Sequence, residues 1–335
     1  MRQGFNPHKD QIQENSEVIH QIIIPVFIPN HDGYFKDSFK IFQLCLESLF
    51  ATIHAKTFIT IVNNGSDAKV KEYLDSLFNA HKIQELIHTT NIGKVNAILK
   101  GIVGNNIELV TIADSDVLFL SNWQQETNKV FAAIPKAGVV GIVPQYRTHM
   151  TRCENILWEK LFDKNLKFLS VKNSKALAHF YKSIGWDDII PDCHKLALGY
   201  EAENGLRTYL GSGHFVATYK KDMFDEIVTF VGFKMGGLSE DYLDQAPLKK
   251  DYWRLTTYDN YAYHMGNVYE NWMSEVVYSN DNTYQFVANF PKFKTIRSIE
   301  YFFKNRILRK VYKSKKVRML FYKYKKLPAE MIANY

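Results

Sequence analysis

Aliphatic runs alternate with helically spaced apolar positions over the first 120 residues. VIHQIIIPVFIP (18–29) is rich in Ile and Val and ends in prolines, the pattern of a buried central strand stopping at a loop. In KDSFKIFQLCLESLFATIHA (36–55), Phe39, Phe42, Leu46, Leu49, Phe50 and Ile53 recur at helical spacing. TFITIVNNGSD (57–67) repeats the strand pattern and closes in a turn. Residues 67–81 then predict a helix, 82–90 a short strand, 91–105 a helix with Asn91 and Gly93 at its mouth, and 107–116 another strand. Strand alternating with helix predicts βαβ units and a mostly parallel sheet, with any ligand beyond the carboxyl ends of the strands.

Past residue 116 the periodicity loosens. GVVGIVPQY (138–146) reads as a strand, and the aromatic-rich stretch from Arg147 to Tyr209 reads as helices and loops covering a site. Residues 209–227 read as a glycine-rich turn, a strand with Phe215 and Ala217 on one face, and a helix start. Gly236 and Gly237 lead into a short helix bearing Glu240, Asp241 and Asp244. Near the end, Ile296, Ile299, Phe303, Ile307 and Val311 recur every three or four positions with Lys and Arg between them, a basic amphipathic helix. The resulting partition is a polar arm (1–17), one large domain (18–290, divisible into 18–122 and 123–290) and a basic helical tail (291–335).

Charge sharpens this partition. The net charge is +7, yet Lys292–Lys326 holds 14 Lys or Arg against Glu300 alone, so this segment carries +13 and the rest −6. The cationic excess therefore belongs to the tail, which argues against nucleic acid as a partner and for an anionic membrane surface contacted through 291–326. Cys45, Cys153 and Cys193 form no C-x-x-C pair, which fits a reducing compartment. The first 16 residues lack the apolar stretch of a signal peptide, and no window approaches the ~18 apolar residues of a membrane span. The expectation is a cytoplasmic protein held at the inner face of the membrane.

The candidate chemistry lies in LVTIADSDVLF (109–119), where an apolar strand ends in Asp114 and Asp116. A strand alternates its side chains, so the two carboxylates leave on the same side, close enough to share a cation. The alternative is a strand followed by an ordinary polar turn. Four further segments accompany this one in order: IPVF (24–27), NNGSD (63–67), NIGK-x-x-A (91–97) and SED (239–241), the last followed by YHMGN (263–267). Together they resemble the inverting, GT-A-fold, family-2 glycosyltransferases of bacterial surface-glycan type, over roughly residues 20–270.

The resemblance implies a GT-A α/β fold: a Rossmann-like, mostly parallel central sheet flanked by helices, here with a C-terminal basic amphipathic tail. It also implies a nucleotide-sugar site formed by Pro25, Phe27, Asn63, Asn64, Ser66, Lys94, Asp114 and Ser115. Asp116 and His264 become metal ligands for Mn²⁺ or Mg²⁺, since oxygen donors suit a hard cation and a histidine tilts the choice toward Mn²⁺. Asp241 becomes the base that takes the acceptor's proton, with Glu240 orienting it or binding the acceptor; the alternative for these acids is an ordinary helix start. Asn63 stands where the family often has aspartate, so the base, expected to be uracil, is less firmly specified. Trp158, Trp186 and Trp253 are candidates for stacking on sugar rings, against core packing.

The implied activity is metal-dependent, inverting transfer of a hexosyl or N-acetylhexosaminyl group from a UDP-linked donor to a hydroxyl of a polysaccharide or lipid-linked glycan precursor. Rival readings are a retaining GT-A transferase or a sugar nucleotidyltransferase, although IPVFIPNHDGYF (24–35) lacks the glycine-rich phosphate loop the latter needs. A dehydrogenase is excluded by the absence of G-x-G-x-x-G. A non-catalytic sugar- or membrane-binding scaffold is the remaining alternative.

Overall fold

A computed structural model describes residues 4–12, 17–186, 195–226, 230–279 and 283–335. Cys193 and part of the N-terminal arm lie outside the described residues. The first half follows the periodicity closely: β1 (His20–Val26), α1 (Ser38–Thr52), β2 (Thr57–Asn64), α2 (Ala68–Asn79), β3 (Glu85–Thr89), α3 (Lys94–Ile102) and β4 (Leu109–Ala113). Next come β5 (Val117–Phe119), α4 (Trp123–Ala133), β6 (Ala137–Gly141), α5 (Glu154–Lys160), β7 (Leu166–Ser170) and α6 (Ser174–Ser183). β8 (Leu196–Glu201), β9 (Arg207–Leu210), β10 (Val216–Lys220), α7 (Gly237–Lys249), β11 (Trp253–Thr257) and β12 (Ala262–His264) complete the body.

Ten strands form one sheet in the order β3-β2-β1-β4-β10-β6-β11-β9-β8-β7. The pairings run β1 to β4, β6, β8 and β11 in one direction and only β7, β9 and β10 in the other, a mostly parallel sheet with helices on both faces. The continuous apolar character of β1 follows from this burial. Ile22 and Ile24 pack with Phe42 and Leu46 of α1 on one face, while Ile23 packs with Ala97 and Ile98 of α3 and Leu243 of α7 on the other.

The 147–209 stretch, expected as helices and loops, also contributes β7, β8 and β9, which extend the sheet in an antiparallel meander. These strands are only four to six residues long, too short for the alternation to stand out. β11 and the two-stranded β5–β12 sheet are likewise additions to the sequence reading.

The basic tail is helical over Ser298–Tyr301, Leu308–Tyr312, Lys315–Tyr324 and Ala329–Ile332, with a π-helical turn at Phe302–Ile307. It packs on the body through Tyr312, Phe321, Tyr322, Leu327, Met331, Ile332 and Tyr335, which share a core with Ile156, Leu157 and Leu166. The stripe read from the sequence lies elsewhere: Ile299, Phe303 and Val311 remain exposed, as does Phe302. Among the described residues no helix is long and apolar enough to cross a membrane.

Candidate active site

The carboxyl end of β4 opens into a cavity of about 340 Å³ that Lys94, Asp114, His214, Glu240 and His264 line. Asp114 follows directly from β4, and its backbone N–H donates to the Phe215 carbonyl at 2.7 Å. α3 begins at Lys94, whose ammonium lies 2.6 Å from Asp114 Oδ1 and 3.0 Å from Glu240 Oε1. Burial disfavours the charged Lys94, but the two carboxylates outweigh it and hold the ammonium above its ordinary pKa. For Glu240 burial acts upward, and Lys94 followed by His214 draws the carboxyl below its ordinary value.

β5 and β12 deliver the late histidine. Their antiparallel pairing sets His264 opposite Val117, one residue past Asp116, and His264 Nε2 lies 3.3 Å from Asp116 Oδ2. Ser183 of α6 holds the other ring nitrogen at 2.9 Å. Asp116 Oδ1 is buried without a hydrogen-bond partner. Burial, then the like charge of Asp114, pushes the Asp116 carboxyl up to about 6 against the opposing pull of His264 and Lys94. Among the described residues no three His, Cys, Asp or Glu side chains form a group able to hold a metal ion by themselves. The bare oxygen of Asp116 beside an imidazole nitrogen nonetheless suits a cation whose other ligands come from a phosphate and water.

The pair Glu240–Asp241 is split by helix phase. Neighbouring helical residues point about 100° apart, whereas residues four apart share a face. Glu240 and Asp244 accordingly face the cavity side of α7, and Asp241 and Gln245 face away from it. Asp241, expected as the base, instead receives hydrogen bonds from Arg152 Nε and Nη2 at 2.8 and 2.6 Å and from Gln245, and it does not line the cavity.

Three residues that sequence reading did not single out pair with the acids of α7. Arg254 of β11 is 2% exposed; its Nη2 lies 2.5 Å from Asp244 Oδ1 and donates to the Ser212 carbonyl at 2.8 Å, and Nη1 donates to Thr151. Asp244 Oδ2 in turn lies 3.3 Å from His214 Nε2. Arg152 is the third. A buried cation inside the strand WRLTT was the available signal, because such a charge demands a partner.

The expected nucleotide residues gather at the ends of β1 and β2, largely as mutual braces. Asn63 Oδ1 accepts from the Ser66 N–H at 2.9 Å, and its amide nitrogen lies 3.0 Å from His88 Nδ1. Asn64 Oδ1 accepts from Ile92 N–H at 2.9 Å, tying β2 to the loop before α3. Ser66 Oγ accepts from Ile28 N–H and donates to the Val26 carbonyl. Gly65 makes the turn at φ +91°, where a Cβ would sit 2.8 Å from the Asn91 nitrogen. Pro25 is half-buried in β1, Ser115 is half-buried between the aspartates, and Phe27 is exposed, meeting Phe35 edge-on at 5.9 Å. The mouth of α3 is covered by the chain itself, since the Lys94 N–H donates to the Lys234 carbonyl at 2.8 Å. Trp253 is buried in the core, and Trp158 and Trp186 are exposed outside the cavity lining.

Residues 26–185 match the family profile of Glycosyl transferase family 2. No curated protein matches the chain. Among solved structures, S. aureus TarS 1-349 in complex with UDP-GlcNAc aligns at 13% identity and TM-score 0.44, covering 78% of this chain and 62% of that one. A mannosyltransferase, PcManGT from Pyrobaculum calidifontis, in complex with GDP-Man and Mn²⁺, aligns at 14% identity and TM-score 0.39, covering 71% and 53%. The chain thus spans less than two thirds of the length of either protein. Through residues 26–185, on a GT-A-like α/β sheet, the chain is similar to glycosyl transferase family 2.

Proposed function

We propose that the protein is a metal-dependent, inverting glycosyltransferase that moves a sugar from a nucleotide donor, UDP-linked in this reading, to a hydroxyl of a polysaccharide or lipid-linked glycan precursor. One observation carries the reading: Lys94 of α3 and Asp114 at the end of β4, within the segment similar to family 2, and Glu240 of α7 and His264 of β12, well C-terminal to it, converge on one cavity at the carboxyl end of the sheet. Phe27 supplies an exposed ring for the base, and the β1 and β2 ends braced by Asn63, Asn64 and Ser66 form the floor of the nucleoside site.

Lys94 is the cation for the diphosphate. In the free protein it neutralises Asp114 and Glu240; a bound diphosphate offers it a third anion. Asp116 and His264 would hold the divalent ion, which when bound stabilises charge on the departing diphosphate. Glu240, rather than Asp241, is the acidic side chain at the reacting centre, and Asp241 fixes Arg152 at the rim. The exposed stripe of Ile299, Phe302, Phe303 and Val311, in a segment that also carries the exposed Arg306, Lys310 and Lys313, supports a reading in which this face rests on an anionic membrane and the enzyme works at the inner face of the cytoplasmic membrane.

The test is a calorimetric and thermal-shift screen of UDP, GDP and their sugars with Mn²⁺ and with EDTA. Binding of a nucleotide sugar that strengthens at least tenfold with Mn²⁺, and that Asp116→Asn reduces to its EDTA level, is the expected result. Equal affinity with and without metal would refute the metal assignment, and no nucleotide binding at all would refute the transferase reading. Because the Asp116 carboxyl is raised to about 6, the Mn²⁺-dependent part of the affinity should fall as pH drops through that value, where the carboxylate is protonated and lost as a ligand.

A further inference from the structure

We infer that the small cavity between α5, α7 and the tail is a phosphate site that takes the phosphodiester of a membrane lipid; the inference deepens the membrane-contact reading above and is independent of the transfer chemistry. The cavity holds about 140 Å³ and is lined by Arg152, Arg306 and Arg309, with Glu154, Gln245 and Asn305 among its other walls. That is the space of roughly four to five waters at about 30 Å³ each, enough for one tetrahedral phosphate and little more.

Lys304 fixes the tail at this place. Its ammonium lies 3.1 Å from Glu159 Oε1 of α5 and 3.0 Å from Asp251 Oδ2, and it pairs with Glu300 one turn back. Tyr301, Asn305 and Arg309 then recur every fourth position along the cavity, with Arg306 beside them, across the π-helical turn. Such turns are rare and concentrate at functional sites. Asn305 is 3% exposed, and neither end of its amide has a partner among the described residues. That amide is shut off from solvent, so the direct contacts fall to the guanidiniums and it lends polarity to the wall behind them.

The protein satisfies the three arginines to different degrees. Arg152 spends Nε and Nη2 on Asp241 and keeps Nη1 without an acceptor among the described residues. Arg309 Nε lies 3.7 Å from Glu154 Oε1, a loose pair. Arg306 is exposed, and among the described residues its guanidinium has no hydrogen bond or ion pair. Against three guanidiniums stand Glu154 and Asp241, which leaves one unit of positive charge, the complement of a phosphodiester monoanion. Burial pushes the Glu154 carboxyl above its ordinary value, and an anion beside it would raise it further, which weakens its opposition to the ligand.

Position favours a lipid as the source of the phosphate. Arg306 lies about one turn from Phe302, in the segment that exposes Phe302, Phe303 and Val311. With those side chains seated among acyl chains, a guanidinium one turn away lies at headgroup level. Arg152 and Gln245 both bond Asp241, so an occupied site would share its side chains with the bonds that hold α7.

The experiment uses the full chain and two probes: vesicles containing phosphatidylglycerol, and glycerophosphoglycerol, the same headgroup without acyl chains. Arg306→Gln should lower affinity for both by about 10- to 100-fold at unchanged Tm, the loss of charge-assisted hydrogen bonds to one phosphate. Lys310→Gln removes the same charge from an exposed position outside the cavity; it should cost vesicle binding about fivefold and leave glycerophosphoglycerol binding unchanged. Vesicle binding that falls equally in the two variants, with no effect of Arg306→Gln on the soluble diester, overturns the site and leaves a diffuse electrostatic contact in which the membrane reading survives. Arg306-dependent binding of glycerophosphoglycerol without vesicle binding keeps the phosphate site and overturns its lipid source. If the chain binds neither probe, the site and the membrane reading both fall.

Discussion

Lys94 is the point at which stability and the proposed chemistry meet, and removing its charge tests both. Lys94→Met keeps most of the aliphatic stem and leaves Asp114 and Glu240 facing each other without a cation. The side chains are 15%, 27% and 17% exposed respectively, so the cluster is mostly but not wholly dry. Removing one partner of a buried ion pair costs about 3–5 kcal/mol; water reaching the exposed fraction reduces this to about 2–3 kcal/mol. With an unfolding entropy of about 2.1 cal/mol/K per residue, that loss lowers Tm by about 3–4 °C for a chain of this length. The sign of the pH dependence follows from Glu240, whose carboxyl is drawn below its ordinary value by Lys94 despite burial. A depressed carboxyl contributes stability that is present above the unfolded pKa of about 4.3 and lost as pH falls through the folded value. The gap between wild type and Lys94→Met should therefore be complete at pH 7 and close as pH falls through the lowered pKa of Glu240 in the wild-type protein. In Lys94→Met/Glu240→Gln one of the two stranded charges is gone, and most of the lost Tm should return. Calorimetric unfolding of the three variants against pH is the assay. A gap that persists undiminished at acid pH, or a double variant as unstable as the sum of the singles, would show that Lys94 acts through packing and not through its charge.

Gly65→Ala should cost at least about 1–2 kcal/mol, because the turn needs positive φ and the added Cβ meets the Asn91 nitrogen; a UDP affinity equal to wild type would show that the turn is not part of the nucleoside floor. Truncation after Phe290 removes seven buried large side chains, a gross burial on the order of 10 kcal/mol, comparable with the whole net stability of a domain. The truncated chain should therefore fail to fold, and a soluble, cooperatively melting product would refute the packing described for the tail. Phe302→Ser/Phe303→Ser should reduce co-sedimentation with anionic vesicles at least fivefold at unchanged Tm; undiminished binding would move the membrane contact elsewhere.

The legible half of this molecule is the half whose strands are buried on both faces. β1, β2 and β4 are mostly apolar because helices cover each side of the sheet, and their ends are marked by polar turns, so Asp114, Asp116 and Lys94 were identifiable as groups at one edge. His264 was named from the resemblance, but its route to Asp116 was not readable, since β5 and β12 are three residues each and carry no period. For Glu240 and Asp241 the difficulty is one of phase. Adjacent acids at a helix start are equivalent in sequence, and a rotation of about 100° decides which one meets the cavity. What sets that rotation is Asp244, four residues after Glu240 and on its face, locked to a buried arginine in a strand that the periodicity did not reveal. The same reasoning applies to the tail, where two apolar stripes compete for one docking face. The one made by Tyr312, Phe321, Tyr322 and Leu327 wins because it is larger and more aromatic, and it leaves the Ile299–Phe303 stripe facing outward. Helical period thus identifies the candidate faces of α7 and of the tail, and only the partner across each interface selects between them.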